Sequence, residues 1–229
     1  MNIVKRTPTI LHSSVEAVFD IETIPTNSIK VIENISKKIK PPGNLKRDAA
    51  IQDWIDNEKM NAVDEAIRKT ALDGSYGRVC SIAWCVGDSD PVAALGDEKE
   101  IIPYFIGTVL KPYSSRLVLI GHNILGFDLR FLWKRMIILG IKIPSFIDWK
   151  ASRVTPQLQD TMYMWDPDKD KRISLENLCT VLKVDHNKDN FDGSMVWDAW
   201  RMGKYEDIRT HNRSDVQSTR SCYTKILQR

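Results

Sequence analysis

Val18-Phe19-Asp20-Ile21-Glu22-Thr23 is an apolar run that ends in two carboxylates one residue apart. In a β-strand, side chains at positions i and i+2 point to the same face of the sheet. The pattern therefore predicts that Asp20 and Glu22 lie side by side at a strand's end, with Phe19 and Ile21 on the opposite face. Two carboxylates held together repel each other and lose hydration, so a positive charge is needed to offset that cost. Mg²⁺ or Mn²⁺ meets this need, whereas the plainer alternative is a strand end with two solvated acids.

The composition is that of a soluble globular protein. The 229 residues are 42% hydrophobic and 28% charged, enough for one sizeable α/β domain, and no Gly/Ser-rich or Pro-rich linker divides them. We therefore expect a single domain over residues 1–229. No apolar run reaches membrane-spanning length and the N-terminus lacks a signal-peptide layout, which predicts a cytoplasmic location. The four cysteines have no zinc-like or Cys-x-x-Cys spacing, so we expect reduced, buried thiols.

The net charge of +3 is too mild to establish a polyanionic partner, but the basic residues are clustered. Such clusters are either solvated faces or, beside a carboxylate site, a means of attracting a phosphate chain. The first surrounds a Pro-Pro-Gly turn and comprises Lys37, Lys38, Lys40, Lys46 and Arg47, and the second comprises Lys169, Lys171 and Arg172.

The order of predicted elements favours an α/β domain with a central mixed sheet flanked by helices and a helical insertion after the first strand. Strands are predicted over 13–22, 78–86, 91–95 and 116–120. The insertion, at about 28–75, is predicted to hold a short helix over 28–39 and a longer one from Ala49 to Leu72. Further helices are predicted over 98–110, 129–139, 174–183, 193–203 and 205–227, so the chain beyond 150 is expected to be mostly helical.

Two further acidic positions are candidates for chemistry. Asp128 follows a predicted strand by a short loop and begins a helix, where an acid also favours the helix N-terminus. His211 and Asp215 are four residues apart in the last helix, so both project from one face. Taken alone, Asp128 is also consistent with a helix-capping role, and a His/Asp pair at this spacing is more often a surface hydrogen bond than a catalytic unit.

Taken in order, three motifs resemble those of the DEDD superfamily of 3′–5′ exonucleases, which is named for its four metal-binding acids. They are Asp-x-Glu on the first strand, Asn-x-x-x-Phe-Asp after a later strand, and His-x-x-x-Asp on the last helix. Within the superfamily, the chain resembles stand-alone, phage- or prophage-type proteins similar to the exonuclease domain of family-B DNA polymerases. Further similar segments are Ala71-Leu72, Gly77-Arg78-Val79, Ser174-Leu175-Glu176-Asn177-Leu178-Cys179 and Gly193-Ser194-Met195-Val196-Trp197.

The resemblance implies a ribonuclease-H-like fold and two divalent cations, Mg²⁺ or Mn²⁺. One cation is expected on Asp20, Glu22 and Asp215, where it activates water, and the other on Asp20 and Asp128, where it stabilises the leaving 3′-oxygen. The residues expected to contact the terminal nucleotide are Thr23, Ile24, Asn123 and Phe127. His122 and Asp160 are expected to have structural roles.

His211 departs from the pattern of the superfamily. The tyrosine branch has Tyr-x-x-x-Asp, and in the histidine branch the histidine is one residue further from the aspartate, so His211 and Asp215 combine the spacing of the first with the side chain of the second. A free imidazole has a pKa near 6.5, far closer to neutrality than a phenol near 10. We therefore predict that His211 orients and deprotonates the attacking water.

The function expected from these observations is metal-dependent release of nucleoside monophosphates from the 3′ end of single-stranded DNA. An exoribonuclease of the same mechanism is one alternative, and a non-catalytic nucleic-acid-binding module of a replication or recombination complex is another. The His-x-x-x-Asp helix argues against an endonuclease or integrase of the same general fold. Proofreading would require a separate polymerase, and the resemblance suggests a bacterial or phage-infected cell.

Overall fold

A five-stranded mixed sheet forms the centre of the computed structural model, which describes residues 14–168, 171–186 and 191–228. The strands are β1 (Val15–Ile24), β2 (Arg78–Val86), β3 (Val92–Leu95), β4 (Leu117–Gly121) and β5 (Leu158–Asp160). Their order across the sheet is β3-β2-β1-β4-β5. The strand β1 pairs antiparallel with β2 and parallel with β4, and β4 pairs parallel with β5. The predicted α/β class with a mixed sheet is confirmed, and the arrangement is consistent with a ribonuclease-H-like fold.

Helices cover both faces of this sheet. Within the described ranges, no helix is long and apolar enough to cross a membrane. The predicted cap of one helix is present, because the Ser174 hydroxyl accepts the Asn177 amide at 3.3 Å. The α-helices are α1 (Ile29–Lys38), α2 (Asp48–Asn57), α3 (Lys59–Arg68), α4 (Glu98–Phe105), α5 (Asp128–Leu139), α6 (Thr161–Trp165), α7 (Leu175–Leu182), α8 (Val196–Arg201) and α9 (Tyr205–Ile226).

The alternation of side chains along β1 divides the core between the two faces. Phe19 and Ile21 are buried in the larger cluster, with Phe105 of α4 and Leu129 of α5. Val18, on the other face, packs in a cluster with Val216 of α9. Because alternate residues share a face, Asp20 and Glu22 lie on the α9 side of the sheet.

The insertion between β1 and β2 differs from its predicted form. The long helix expected from Ala49 to Leu72 is divided into α2, α3 and a 3₁₀ turn (Lys69–Leu72). The division falls at Glu58, whose amide ends α2 on the Trp54 carbonyl while its own carbonyl accepts the Ala62 amide of α3. No residue of α1, α2 or α3 is fully buried, so apolar spacing there indicated helix without indicating where the chain turns.

The segment beyond residue 150 was predicted to be mostly helical, and this prediction missed β5. That strand has only three residues, too few for a period-2 pattern, and it exists because β4 offers it a parallel edge. The helix predicted over 193–203 begins as a 3₁₀ turn (Gly193–Met195) before α8. The helix predicted over 98–110 ends as a π-helical turn (Ile106–Leu110) after α4.

The first strand begins and ends two residues later than predicted. Its last two residues, Thr23 and Ile24, pair with Val79 and Arg78 of β2 after a register shift directly behind Glu22. A bulge of this kind re-aims the side chains around it. The two carboxylates therefore lie inside the strand, just before it changes register.

Candidate active site

The two carboxylates of β1 point toward helix α9, as the alternation predicted. Asp20 Oδ2 accepts a 2.7 Å hydrogen bond from Asn212 Nδ2 of α9. Glu22 is buried, and its Oε1 lies 3.5 Å from Nε2 of His211 on the same helix. The strand and the helix thus form two walls of one acidic cleft.

His211 and Asp215 face this cleft from successive turns of α9. His211 Nε2 lies 3.7 Å from Asp215 Oδ2, and the Phe191 ring packs 5.1 Å from the imidazole centre. The exposed fraction of the side chain is 12% for His211, 10% for Glu22 and 33% for Asp215, which places Asp215 nearest to solvent. One ligand atom from each of these three residues lies within 4.8 Å of the others, close enough to hold one metal ion.

Asp128 reaches the same region from the sheet's other helical layer. It is the first residue of α5, and the N-cap position belongs to Phe127. The Asp128 side chain is buried and its Oδ1 accepts the backbone amide of Ile21 at 3.1 Å. Asp128 is therefore tied to the strand that carries Asp20 and Glu22, and a helix cap is not its role.

Burial and neighbouring acids disfavour the ionisation of Asp20 and Glu22. Burial raises the pKa of Asp20 well above its ordinary value, and the charges of Asp128, Glu22 and Asp215 raise it further. Burial, followed by Asp215 and Asp128, likewise raises the pKa of Glu22. Burial raises the pKa of Asp128 to about 7. A divalent cation relieves this repulsion and matches the carboxylate oxygens, so the four acids fit the metal site that the resemblance implies.

The loop of the second motif is held in place by Asp160. Its Oδ1 accepts the Asn123 amide at 2.9 Å and its Oδ2 accepts the Leu125 amide at 3.0 Å. Asn123 has a left-handed backbone with φ of 63°, and its Oδ1 is buried without a hydrogen-bond partner among the described residues. A Cβ at Gly126 would lie 2.3 Å from that oxygen, so any other residue there would displace the Asn123 side chain. Asp160 thus has the structural role that was expected.

His122 also has a structural role. Its Nε2 donates to the Ile173 carbonyl at 3.0 Å, since a carbonyl only accepts. Its Nδ1 lies 2.9 Å from the Thr161 hydroxyl, within hydrogen-bond distance. Burial lowers the pKa of His122, so the imidazole stays neutral at physiological pH and joins β4 to the segment before α7.

The sequence matches the model of a family described as predicted 3′–5′ exonucleases related to the exonuclease domain of PolB, over residues 70–228. The chain belongs to this family. The matched region contains Asp128, His211 and Asp215, whereas Asp20, Glu22 and helices α1–α3 precede it.

The fold of this family member is similar to that of a much larger protein. It matches the family B DNA polymerase of the hyperthermophilic archaeon Pyrobaculum calidifontis with a TM-score of 0.58 and 17% sequence identity. The match covers 93% of this chain and 24% of the polymerase, so the chain spans about a quarter of the polymerase's length. No curated protein matches the chain in sequence.

The structure of this PolB-related family member places the four residues predicted to contact a nucleotide in different environments. The Thr23 hydroxyl donates to the Ala71 carbonyl at 2.7 Å. Ile24 is 1% exposed and packs with Val196 and Ile208, so its side chain belongs to the core. Phe127 is half-buried with its ring 5.4 Å from that of Phe131, and Asn123 lies in the loop described above. Nucleotide contact by these residues stays a prediction.

Sequence reasoning missed Asn212, which organises the cleft. It is fully buried, and its Oδ1 accepts the Ser81 hydroxyl of β2 at 2.7 Å while its Nδ2 donates to Asp20. A signal was present, because Ile208, Asn212 and Val216 recur at four-residue spacing on the buried face of α9. A polar residue on such a stripe must have hydrogen-bond partners.

The two basic clusters occupy different parts of the molecule. The first lies in and just after α1, where all five side chains are exposed. Within the second, Lys169 lies outside the described residues, and exposed Lys171 lies 3.9 Å from Asp168. Arg172, the third residue of this cluster, is exposed as well.

Proposed function

We propose that this protein is a metal-dependent 3′–5′ exonuclease that hydrolyses single-stranded DNA from its 3′ end and releases nucleoside monophosphates. The observation that carries the proposal is the meeting of Glu22, His211 and Asp215 within 4.8 Å, with Asp20 beside them on β1. Membership of a family of predicted 3′–5′ exonucleases supports the same polarity. The chain acts as one exonuclease domain with a helical insertion over about residues 28–75.

The acids of the cleft are the proposed ligands of two divalent cations, Mg²⁺ or Mn²⁺. When bound, such cations lower the pKa of water and stabilise the charge that develops on the attacking and leaving oxygens. Asp20, Glu22 and Asp215 form one ligand group, and Asp128 with Asp20 forms the other. Asp128 Oδ1 accepts the Ile21 amide, so its Oδ2 is the oxygen proposed to bind the cation.

His211 is the proposed base. Its Nε2 is 3.5 Å from Glu22 and 3.7 Å from Asp215, so the imidazole lies beside two of the proposed ligands. Packing against Phe191 restricts rotation of the ring. An imidazole held at this place orients a water by hydrogen bonding and accepts its proton as the water attacks phosphorus.

DNA is the favoured substrate because the similar solved structure is a DNA polymerase, and RNA is the alternative with the same chemistry. Discrimination between them rests on contacts to the 2′-hydroxyl. Retention of all four acids supports catalysis over a purely nucleic-acid-binding role in a replication or recombination complex. A separate polymerase is the natural partner if the activity serves proofreading, and the proposed location is the cytoplasm of a bacterial or phage-infected cell.

The direct test is incubation with 3′- and 5′-labelled DNA and RNA oligonucleotides in Mg²⁺ and in Mn²⁺. We expect immediate release of mononucleotide from the 3′ label and a descending ladder from the 5′ label. Cuts within circular single-stranded DNA would instead identify an endonuclease. Binding without any hydrolysis in either metal would favour the non-catalytic alternative.

A further inference from the structure

A groove of about 390 Å³ lies between α1 and the segment that runs from α3 into the 3₁₀ turn. Its α1 wall carries Asn34 and Lys38, and its opposite wall carries Lys69 and Tyr76. Both lysines are exposed, and Tyr76 is 49% exposed. The groove therefore presents two cations and an aromatic ring to solvent.

The residues that follow β1 connect the groove to the strand that carries Asp20 and Glu22. Thr70 lines the groove and its hydroxyl accepts the Thr26 amide at 2.9 Å. Thr26 is only four residues beyond Glu22, so at most about 14 Å of chain separates them. The bond from Thr23 to the Ala71 carbonyl joins the same two segments closer to the carboxylates.

Charge in the insertion is divided between its two halves. Residues 29–47, which include α1 and the following loop, carry six cations and one carboxylate, whereas residues 48–69 carry six carboxylates and three cations. The groove is thus bordered on its α1 side by the basic half. Asp73, a carboxylate that lines it, is paired with Lys134 at 2.6 Å, and this contact lowers the pKa of Asp73 and neutralises its charge.

We propose that this groove binds the backbone of the single strand behind the 3′-terminal nucleotide. Lys38 and Lys69 contact successive phosphates, and the ring of Tyr76 provides a surface on which a base stacks. The proposal rests on the proposed function, because only an exonuclease substrate would occupy the cleft and the groove together. The α1 wall of the groove and Lys69 precede the region that matches the family model, whereas Thr70, Asp73 and Tyr76 lie within it.

The test compares a long substrate with one too short to reach the groove. The variant is Lys38→Gln/Lys69→Gln, and the matched control is Lys99→Gln/Lys111→Gln, which removes the same charge at exposed positions in and after α4 that do not line the groove. We expect kcat/KM for a 20-mer to fall about tenfold in the groove variant and not in the control. Hydrolysis of the p-nitrophenyl ester of thymidine 5′-monophosphate should be unchanged in both. Tyr76→Ala should likewise lower kcat/KM for the 20-mer and leave hydrolysis of the short ester unchanged.

Binding of a fluorescent 20-mer, measured by anisotropy in EDTA, separates this proposal from the proposed function. The slope of log affinity against log salt should become shallower by about 1.4, since each lost phosphate contact on a single strand accounts for about 0.7. A wild-type protein that binds the 20-mer but hydrolyses nothing would refute the exonuclease and still test the groove. Equal affinities and slopes in groove and control variants would overturn the groove proposal. If the groove variant lost affinity for a polyglutamate peptide and kept its affinity for the 20-mer, the result would overturn the proposal in favour of an acidic protein partner.

Discussion

Asn212 Nδ2 donates a 2.7 Å hydrogen bond to Asp20 Oδ2, and this bond links helix α9 to the strand that bears the first acid. The orientation of the amide is fixed, because its Oδ1 accepts from Ser81 on β2. The bond lowers the pKa of Asp20, in opposition to burial and to the neighbouring carboxylates, which raise it. Asn212 thus favours the ionised form of Asp20 before a cation binds.

We expect Asn212→Leu to weaken cation binding because it removes this stabilisation while keeping the volume of the side chain. A hydrogen bond to a charged group contributes about 1.5–3 kcal/mol, so the affinity for Mn²⁺ should fall by roughly tenfold or more. Calorimetric titration with Mn²⁺ measures the effect directly. Ser81→Ala is the companion variant, because it removes the bond that orients the amide and retains the amide's donor to Asp20. Equal Mn²⁺ affinities in Asn212→Leu and wild type would contradict this role.

Removal of an acid should separate activity from stability. We expect Asp20→Ala and Asp215→Ala each to abolish hydrolysis, while the metal-free protein unfolds at the same or a higher temperature, because repulsion within the cleft is relieved. Thermal unfolding in EDTA and a labelled-oligonucleotide assay in Mg²⁺ measure the two effects. Asp90→Ala, at an exposed position in the turn between β2 and β3, should change neither. Wild-type turnover in Asp20→Ala or Asp215→Ala would refute the assignment of the metal ligands.

The pKa of Asp128 predicts a pH dependence of stability in the absence of metal. Burial raises this pKa from 3.8 to about 7, so in this range the folded protein holds a proton that the unfolded chain has released. The free energy of unfolding contributed by Asp128 therefore falls as the pH rises from about 4 to about 7 and is constant above that. Asp128→Asn keeps an oxygen that accepts the Ile21 amide and removes the titration.

The measurement is the unfolding temperature of wild type and Asp128→Asn in EDTA across pH 4 to 8. We expect the unfolding temperature of Asp128→Asn to rise relative to that of wild type as the pH rises to about 7. Addition of Mg²⁺ should raise the unfolding temperature of wild type only. A constant difference between the two proteins over this range would show that Asp128 does not titrate there.

The part of the fold that sequence predicted best is the part with a strong local period. Alternation along β1 placed Phe19 and Ile21 in the core and the two carboxylates on the opposite face, and the structure has this arrangement. The strand β2 was predicted with its observed ends because its residues form one continuous buried run. Asp215 and His211 were predicted to share a face from their spacing, and both face the cleft.

The features that sequence reasoning missed depend on distant partners. The strand β5 owes its existence to β4, and the break at Glu58 lies in a hairpin without buried residues. The role of Asn212 is defined by its hydrogen bonds to Ser81 and Asp20, which precede it in the sequence by 131 and 192 residues. Local periodicity carries no information about such contacts, although a polar residue on a buried helical stripe indicates that one exists.

The last prediction concerns His211. As a base, His211 accepts the proton of the attacking water in the chemical step. His211→Ala should therefore lower kcat by about 10²–10⁴-fold. The affinities for Mn²⁺ and for the oligonucleotide should change little, because four carboxylates remain for the cation and the groove remains for the strand. Single-turnover rates, measured across the pH range together with Mn²⁺ titration, test both parts.

His211→Tyr is the more informative variant, because tyrosine is the residue that the related branch carries at this spacing. A phenol with a pKa near 10 is a poor base at neutral pH, so a true base role predicts that tyrosine is nearly as inactive as alanine. A tyrosine variant with substantial activity, and with the low-pH side of its rate profile shifted, would show that residue 211 positions water without taking its proton. An alanine variant with wild-type kcat and an unaltered pH profile would remove His211 from the mechanism. The proton would then pass directly to solvent or to Glu22, whose Oε1 lies 3.5 Å from the imidazole.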